Sequence, residues 1–356
     1  MADQPHGAMY TRSVPDGIEW QARHAEEAGA PCTARVIRAL LPVLETETAT
    51  GRRMAGWQGL LLEDAMPLRI VGGLHNLLLS GEDKRLEPVY AGLETDQSVI
   101  DALVVDLVQT YDHRLLPWLD GPPQTNEAGR SASIMAGLLW LSQRLGSKFG
   151  LNEIGASAGV NTMMERYHYD LGGVQVGPAA SPMQIAPEWR GAPPPADEVE
   201  IVSIWGCDRN PIDLSDPVAA ERLKSYVWPE MTARMARIDA AIRLAGEQPP
   251  ELVKMDAAEW VPLMLAEPQA EGVTRVLFHS IVWQYLPEAG REAITAAMEQ
   301  AGAEATAEKP LAWIMLETNR ETFKHELRVK YWPGGEDWQL LAESNPHGVW
   351  VKWFGA

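Results

Sequence analysis

At 356 residues the chain exceeds the usual span of a single core, so one large domain with a smaller companion is expected. Its net charge of −19, from 49 acidic against 30 basic side chains spread along the sequence, argues against nucleic acid or an anionic membrane as partner. Only Cys32 and Cys207 are present, with no Cys-x-x-Cys pair and no His/Cys cluster at ligand spacing, which argues against a structural metal and fits a reducing compartment.

The start, Met1-Ala-Asp-Gln-Pro-His6, has neither the basic opening nor the apolar run of a leader, and no stretch approaches the roughly 20 apolar residues of a membrane span. The expectation is a cytoplasmic protein. Residues 1–120 read as a helical lid or substrate domain, with helical periodicity over 18–28, 34–44, 68–79 and 99–119 and no convincing strand. His75 is the one polar oddity on an apolar helix, and a hydrogen-bonded core histidine is the expected reading.

From residue 121 the pattern alternates between helix and strand. Helix is predicted at 131–145, 160–169, 217–244, 259–265 and 288–301, and strand at 149–154, 200–205, 252–255, 275–278 and 311–316. Five strands separated by helices imply a parallel sheet with right-handed crossovers. The Pro- and Gly-rich stretch at about 170–198 reads as an insertion, with a hairpin at Val174-Gln-Val176. Three alternating segments, 326–332, 338–344 and 349–354, read as antiparallel strands closing one edge, with Trp-Pro-Gly-Gly and Asn-Pro-His-Gly turns between them.

Ligands of such a sheet sit beyond the carboxyl ends of the strands, where strand order reverses. The predicted strand ends carry Glu153, Asp208, Asp256, His279-Ser280 and Glu317. Glu153 is followed by Ile154-Gly-Ala-Ser-Ala-Gly159, a turn in which Gly155 and Gly159 lack Cβ and Ala156 and Ala158 carry the smallest one, so backbone N–H groups are expected to approach a nucleotide-like ligand. The helix before the first strand runs antiparallel to it, which brings Gln124-Thr-Asn-Glu-Ala-Gly-Arg130 to the same edge. Capping by Thr125 or Asn126 accounts for one or two of these residues. Gln124, Asn126, Glu127 and Arg130 together point to substrate binding, and to a small polar or anionic molecule rather than a lipid.

Glu153, Gly155-x-x-x-Gly159, the later acids at strand ends and the closing strands resemble the class I S-adenosylmethionine-dependent methyltransferase fold. Within it, the chain resembles an uncharacterised bacterial family, domain of unknown function 2332. The matching stretches are Gln124–Glu127 with Gly129-Arg130, Glu153–Gly159 with Asn161, Gly206-x-Asp208-x-x-Pro211-x-Asp213, Val227–Glu230 and Phe278-His279. The resemblance implies a Rossmann-like domain over 121–356 that takes S-adenosylmethionine. Glu153, Gly155, Ala156, Ser157, Gly159 and Asn161 would then meet the methionine and ribose, Asp208 the ribose hydroxyls, and Asp256 with the Ala257 N–H the adenine. His279 is the candidate base, and Glu317 a substrate contact. Two departures stand out: Asp208 lies 49 residues after Gly159, where about 20 is usual, and Ser157 occupies a position where glycine is common.

Two other classes stay open. Gly155-x-Ser157-x-Gly159 also spells the nucleophile elbow of α/β-hydrolases, with Asp256 and His279 or His325 available as partners. A protein with this fold that acts as a scaffold or sensor without catalysis is the third. Asp208 and Asp256 also suit turn and helix caps. Trp228, Trp283 and Trp332 suit an acceptor pocket, although aromatics more commonly fill cores. Neither the methyl acceptor nor the oligomeric state is readable.

Overall fold

The computed structural model describes residues 13–58 and 64–355; the start Met1–His6 lies outside them. Backbone contacts divide the chain into two units, Met1–Thr125 with Pro217–Ala236, and Asn126–Asp216 with Arg237–Ala356. Among the described residues no helix is long and apolar enough to cross a membrane.

The first unit is helical. Its major helices are Val14–Glu27, Pro31–Arg38, Ala49–Ala55, Met66–Leu79 and Gln97–Thr110, joined by single turns and by the returning helix Pro217–Ser225. The helix expected over 34–44 stops at Arg38, because continuing it would require Pro42 to donate an N–H to the Arg38 carbonyl. The helix expected over 99–119 breaks at Tyr111, where Asp112 turns its carboxylate to the Ala49 and Thr50 N–H groups at 2.7 and 2.8 Å and so caps another helix. Met66–Leu79 is buried almost all round. His75 is a core histidine: its Nδ1 lies 3.0 Å from the Ser225 carbonyl, and burial pushes its pKa down to about 4. The helix expected over 217–244 is two, Pro217–Ser225 and Thr232–Glu247, because Pro229 cannot continue the first.

All strands of the described residues lie in the second unit. They are β1 (Lys148–Ile154), β2 (His168–Leu171), β3 (Val174–Val176), β4 (Gln184–Ile185), β5 (Glu188–Arg190), β6 (Glu200–Asp208), β7 (Leu252–Lys254), β8 (Thr274–Ser280), β9 (Leu311–Thr318), β10 (His325–Trp332), β11 (Gly335–Ser344) and β12 (Trp350–Trp353). Nine form one sheet in the order β5-β12-β11-β10-β9-β8-β1-β6-β7, and β3-β2-β4 form a small second sheet. The five strands from β7 to β9 are parallel, β9 to β12 pair antiparallel, and β5 joins the far edge parallel to β12. Numbered among themselves, the parallel strands run 3-2-1-4-5, and the order reverses between β1 and β8. The fold is therefore a mixed α/β architecture around a large, mostly parallel sheet.

Both faces of this sheet are covered. In β9 a Cβ at Gly137, in the helix Ser131–Leu145, would lie 3.7 Å from Ile314, while the preceding residue Trp313 packs with Ile294, Met298 and Trp260 on the opposite face. One predicted element changes type. Residues 160–169 are not an α-helix but a short 3-10 helix, Asn161–Arg166, followed by β2. From His168 the burial alternates, with Tyr169 and Leu171 inside, and Gly172-Gly173, both at positive φ, make the two-residue turn into β3.

Candidate functional site

The reversal point is where this architecture holds ligands, so the carboxyl ends of β1 and β8 were traced first. Register places Glu153 beside Phe278 of β8 and Gly206 of β6. Beyond Ile154 the chain turns sharply, with positive φ at Gly155, Ser157 and Gly159. The N–H groups of this turn are engaged within the protein. Ala156 donates to the Cys207 carbonyl (3.0 Å), Ser157 to Asp208 Oδ2 (2.9 Å), Gly159 to the Ala156 carbonyl (2.8 Å) and Val160 to Asn126 Oδ1 (2.7 Å). The glycines answer to protein neighbours: a Cβ at Gly155 would lie 2.3 Å from Val282 Cγ2, and one at Gly159 2.7 Å from Pro250. The expected picture of N–H groups opening onto a ligand at an α-helix N-terminus is thereby corrected. A six-residue 3-10 helix follows the turn, and its amides are bonded elsewhere.

Side chains, not amides, are left open here. Glu153 is 1% exposed; its Oε1 accepts from Asn161 Nδ2 at 3.3 Å, while Glu153 Oε2, Asn161 Oδ1 and Ser157 Oγ are buried without a partner. Burial pushes the Glu153 carboxyl up to about 8, opposed by the Asn161 hydrogen bond and the Arg130 charge and assisted by the Asp208 charge. On β8, one residue past the neighbour of Glu153, His279 is wholly buried and its Nε2 also lacks a partner. Its Nδ1 lies 2.6 Å from Glu317 Oε1, and its ring stacks on Trp283 at 5.1 Å and 16°. Native proteins pair nearly all buried polar atoms, so four unpaired atoms in one stretch of sheet edge mark a place built for something else.

The remaining predicted residues take varied positions. Arg130 is buried, donating from Nε to the Pro346 carbonyl at 2.9 Å and from Nη1 to the Ser280 carbonyl, at the end of β8, at 3.4 Å. Neither Thr125 nor Asn126 is the cap; Glu127 is, accepting from the Gly129 N–H at 3.1 Å and from Arg237 Nε at 2.7 Å. Gln124 belongs to the first unit. Both Asp208 oxygens serve the local chain, Oδ2 with Ser157 and Oδ1 with the Asn210 N–H at 2.8 Å. Asp256 is the N-cap of the helix Ala257–Ala266, accepting from Ala258 N–H at 2.9 Å. Glu317 is tied to His279 and to the Val282 and Trp283 amides. His279 thus has Glu317, not Asp256, as its carboxylate partner, and His325 bonds Thr318 at 3.0 Å.

Several participants carried no sequence signal. The Asn345–Gly348 turn, read above only as a connection between strands, abuts the start of the helix Ser131–Leu145, and a Cβ at Gly129 would lie 2.9 Å from the His347 carbonyl. Arg237 donates to that same carbonyl at 3.1 Å. Ile281 has φ +52°, a strained backbone for a β-branched residue, directly after β8.

An open, mostly parallel α/β sheet with unpaired buried polar atoms at its reversal point is the class that fold and site define. Residues 16–353 match a family described as an uncharacterized protein conserved in bacteria, domain of unknown function 2332, and the chain belongs to that family. No curated protein and no solved structure matches it.

Proposed function

We propose that this protein is an S-adenosylmethionine-dependent methyltransferase acting on a small polar molecule, with the cofactor taken at the carboxyl end of β1. The observation that carries this reading is the set of buried, unpartnered atoms Glu153 Oε2, Ser157 Oγ, Asn161 Oδ1 and His279 Nε2 where the 3-2-1-4-5 order reverses. The cofactor suits these atoms because its ribose hydroxyls and ammonium are hydrogen-bond donors, and a carboxyl, an amide carbonyl and a hydroxyl all accept. Holding it falls to Glu153, Ser157 and Asn161, since the turn amides, Asp208 and Asp256 are already engaged. When bound, it supplies an electrophilic methyl group, and the protein's contribution is alignment of the acceptor.

Calorimetric titration of the purified protein with S-adenosylmethionine and S-adenosylhomocysteine tests the reading. Saturable binding of both is expected, weakened about tenfold by Asn161→Leu, which removes one acceptor worth about 1.4 kcal/mol. Absence of binding at millimolar ligand would sink it.

Ser157 favours a second reading, because its positive φ within Gly-x-Ser-x-Gly and its unpartnered Oγ match a nucleophile elbow. Against that reading, Asp256 is spent as a cap. A fluorophosphonate probe is expected to leave Ser157 unlabelled; stoichiometric labelling would put the hydrolase first.

A further inference from the structure

His279 and Glu317 sit on adjacent parallel strands, with His279 paired to Met315 in the ladder, and their side chains meet at 2.6 Å between Nδ1 and Oε1. The same Glu317 oxygen accepts the Val282 N–H at 3.0 Å and the Trp283 N–H at 3.2 Å. Two consecutive amides converge on one oxygen because the chain reverses at Ile281, whose left-handed φ of +52° any β-branched residue resists. Backbone strain of this kind persists only where the surroundings over-determine it. Here its visible result is a carboxylate oxygen held rigidly beside the imidazole. Trp283 fixes the ring plane by stacking on it, and Trp313 packs against its other side at a tilt of 58°.

An imidazole has one donor and one acceptor nitrogen when neutral, and the partner of one nitrogen decides the state of the other. With an acid oxygen on Nδ1, the proton belongs on Nδ1, and Nε2 carries a lone pair. That nitrogen is fully buried and has no partner, which a purely structural histidine would avoid. We propose that Glu317 is a positioning residue that locks His279 with Nδ1 protonated, so that Nε2 accepts the proton of the substrate's reacting O–H or N–H group. In this step the O–H or N–H bond breaks and leaves its electron pair on the substrate atom. A new bond forms from the Nε2 lone pair to the proton, and the resulting positive ring is held against Glu317. The proton leaves to solvent after the product. The role of Nε2 toward a methyl acceptor rests on the methyltransferase reading, whereas the locked ring does not.

The test is a long-range proton–nitrogen correlation on the full chain labelled with nitrogen-15 histidine, the His279 signals being identified by their loss in His279→Gln. The wild type is expected to show His279 neutral with a protonated Nδ1 and a bare Nε2. Glu317→Gln keeps an oxygen that the two amides hold toward the ring, so the same tautomer is expected; Glu317→Leu removes it, and the ring is expected to shift toward the Nε2-protonated form. A wild-type His279 protonated on Nε2 overturns the proposal without any variant, as does an unchanged tautomer in folded Glu317→Leu. A locked Nδ1–H form alongside failed cofactor titration would remove the methyltransferase reading and leave the positioning role standing. Cofactor binding with the wrong tautomer would do the reverse.

Discussion

Replacing Gly155 with alanine is expected to destabilise the protein by about 3 kcal/mol, seen as a fall in the urea unfolding midpoint at unchanged slope. Two costs combine. A residue with a Cβ at φ +67° loses roughly 1–2 kcal/mol to the left-handed backbone, and the new methyl would sit 2.3 Å from Val282 Cγ2, an overpacking worth about 1–3 kcal/mol. The second cost is separable from the first. Adding Val282→Ala to Gly155→Ala removes the methyl that is struck, so the double variant is expected to be more stable than the sum of the two single changes predicts, by roughly 1 kcal/mol or more. Additive behaviour would mean that the turn yields elsewhere and that Val282 does not fill the space. The result also decides how ligand measurements are read: a bulky residue at 155 disturbs the protein's own packing, so loss of binding in such a variant says nothing about a ligand cradle.

The sheet was legible because its strands are short apolar runs ending in polar residues, and a buried parallel strand such as Phe149–Ile154 leaves little ambiguity. The helix Ser131–Leu145 was legible to the residue, since its apolar stretch is long and closed by Gly146. Strand order followed from nothing local. That β1 lies between β6 and β8 depends on pairing across more than a hundred residues. The 3-10 helix at Asn161–Arg166 was misread because two apolar residues among polar ones fit a helical period as well as a turn, and the alternation that marks β2 begins only at Tyr167. The glycine turn shows a different limit. Gly155 and Gly159 advertise close approach by something, and sequence alone assigned that something to a ligand, whereas Val282 and Pro250 occupy it. Acids at strand ends were found, but their partners were not: whether Asp208 and Asp256 are held by backbone amides, or Glu317 by His279, depends on loop paths that periodicity does not encode. Ile281 is the clearest case, because an isoleucine gives no warning of a left-handed backbone.

Glu153→Gln is expected to change the pH dependence of stability more than any other single substitution at this edge. In the folded protein burial pushes the Glu153 carboxyl up to about 8 from an ordinary 4.5. The sign follows from proton counting. Between those two values the folded chain keeps a proton that the unfolded chain has released, so the acid's contribution is fully present below about pH 4.5 and is lost as pH rises toward 8. Within the window the wild type loses up to about 1.4 kcal/mol per pH unit from this one group. Glutamine keeps an oxygen for Asn161 Nδ2 and never ionises, so Glu153→Gln lacks the slope. Urea midpoints measured from about pH 5 to about pH 9 are expected to show the variant close to wild type at the acid end and more stable by a few kcal/mol at the alkaline end. Parallel profiles would mean that Glu153 is ionised throughout, with the Arg130 charge and the Asn161 hydrogen bond outweighing its desolvation, and the buried acid would then meet a ligand as a full negative charge instead of a neutral carboxyl.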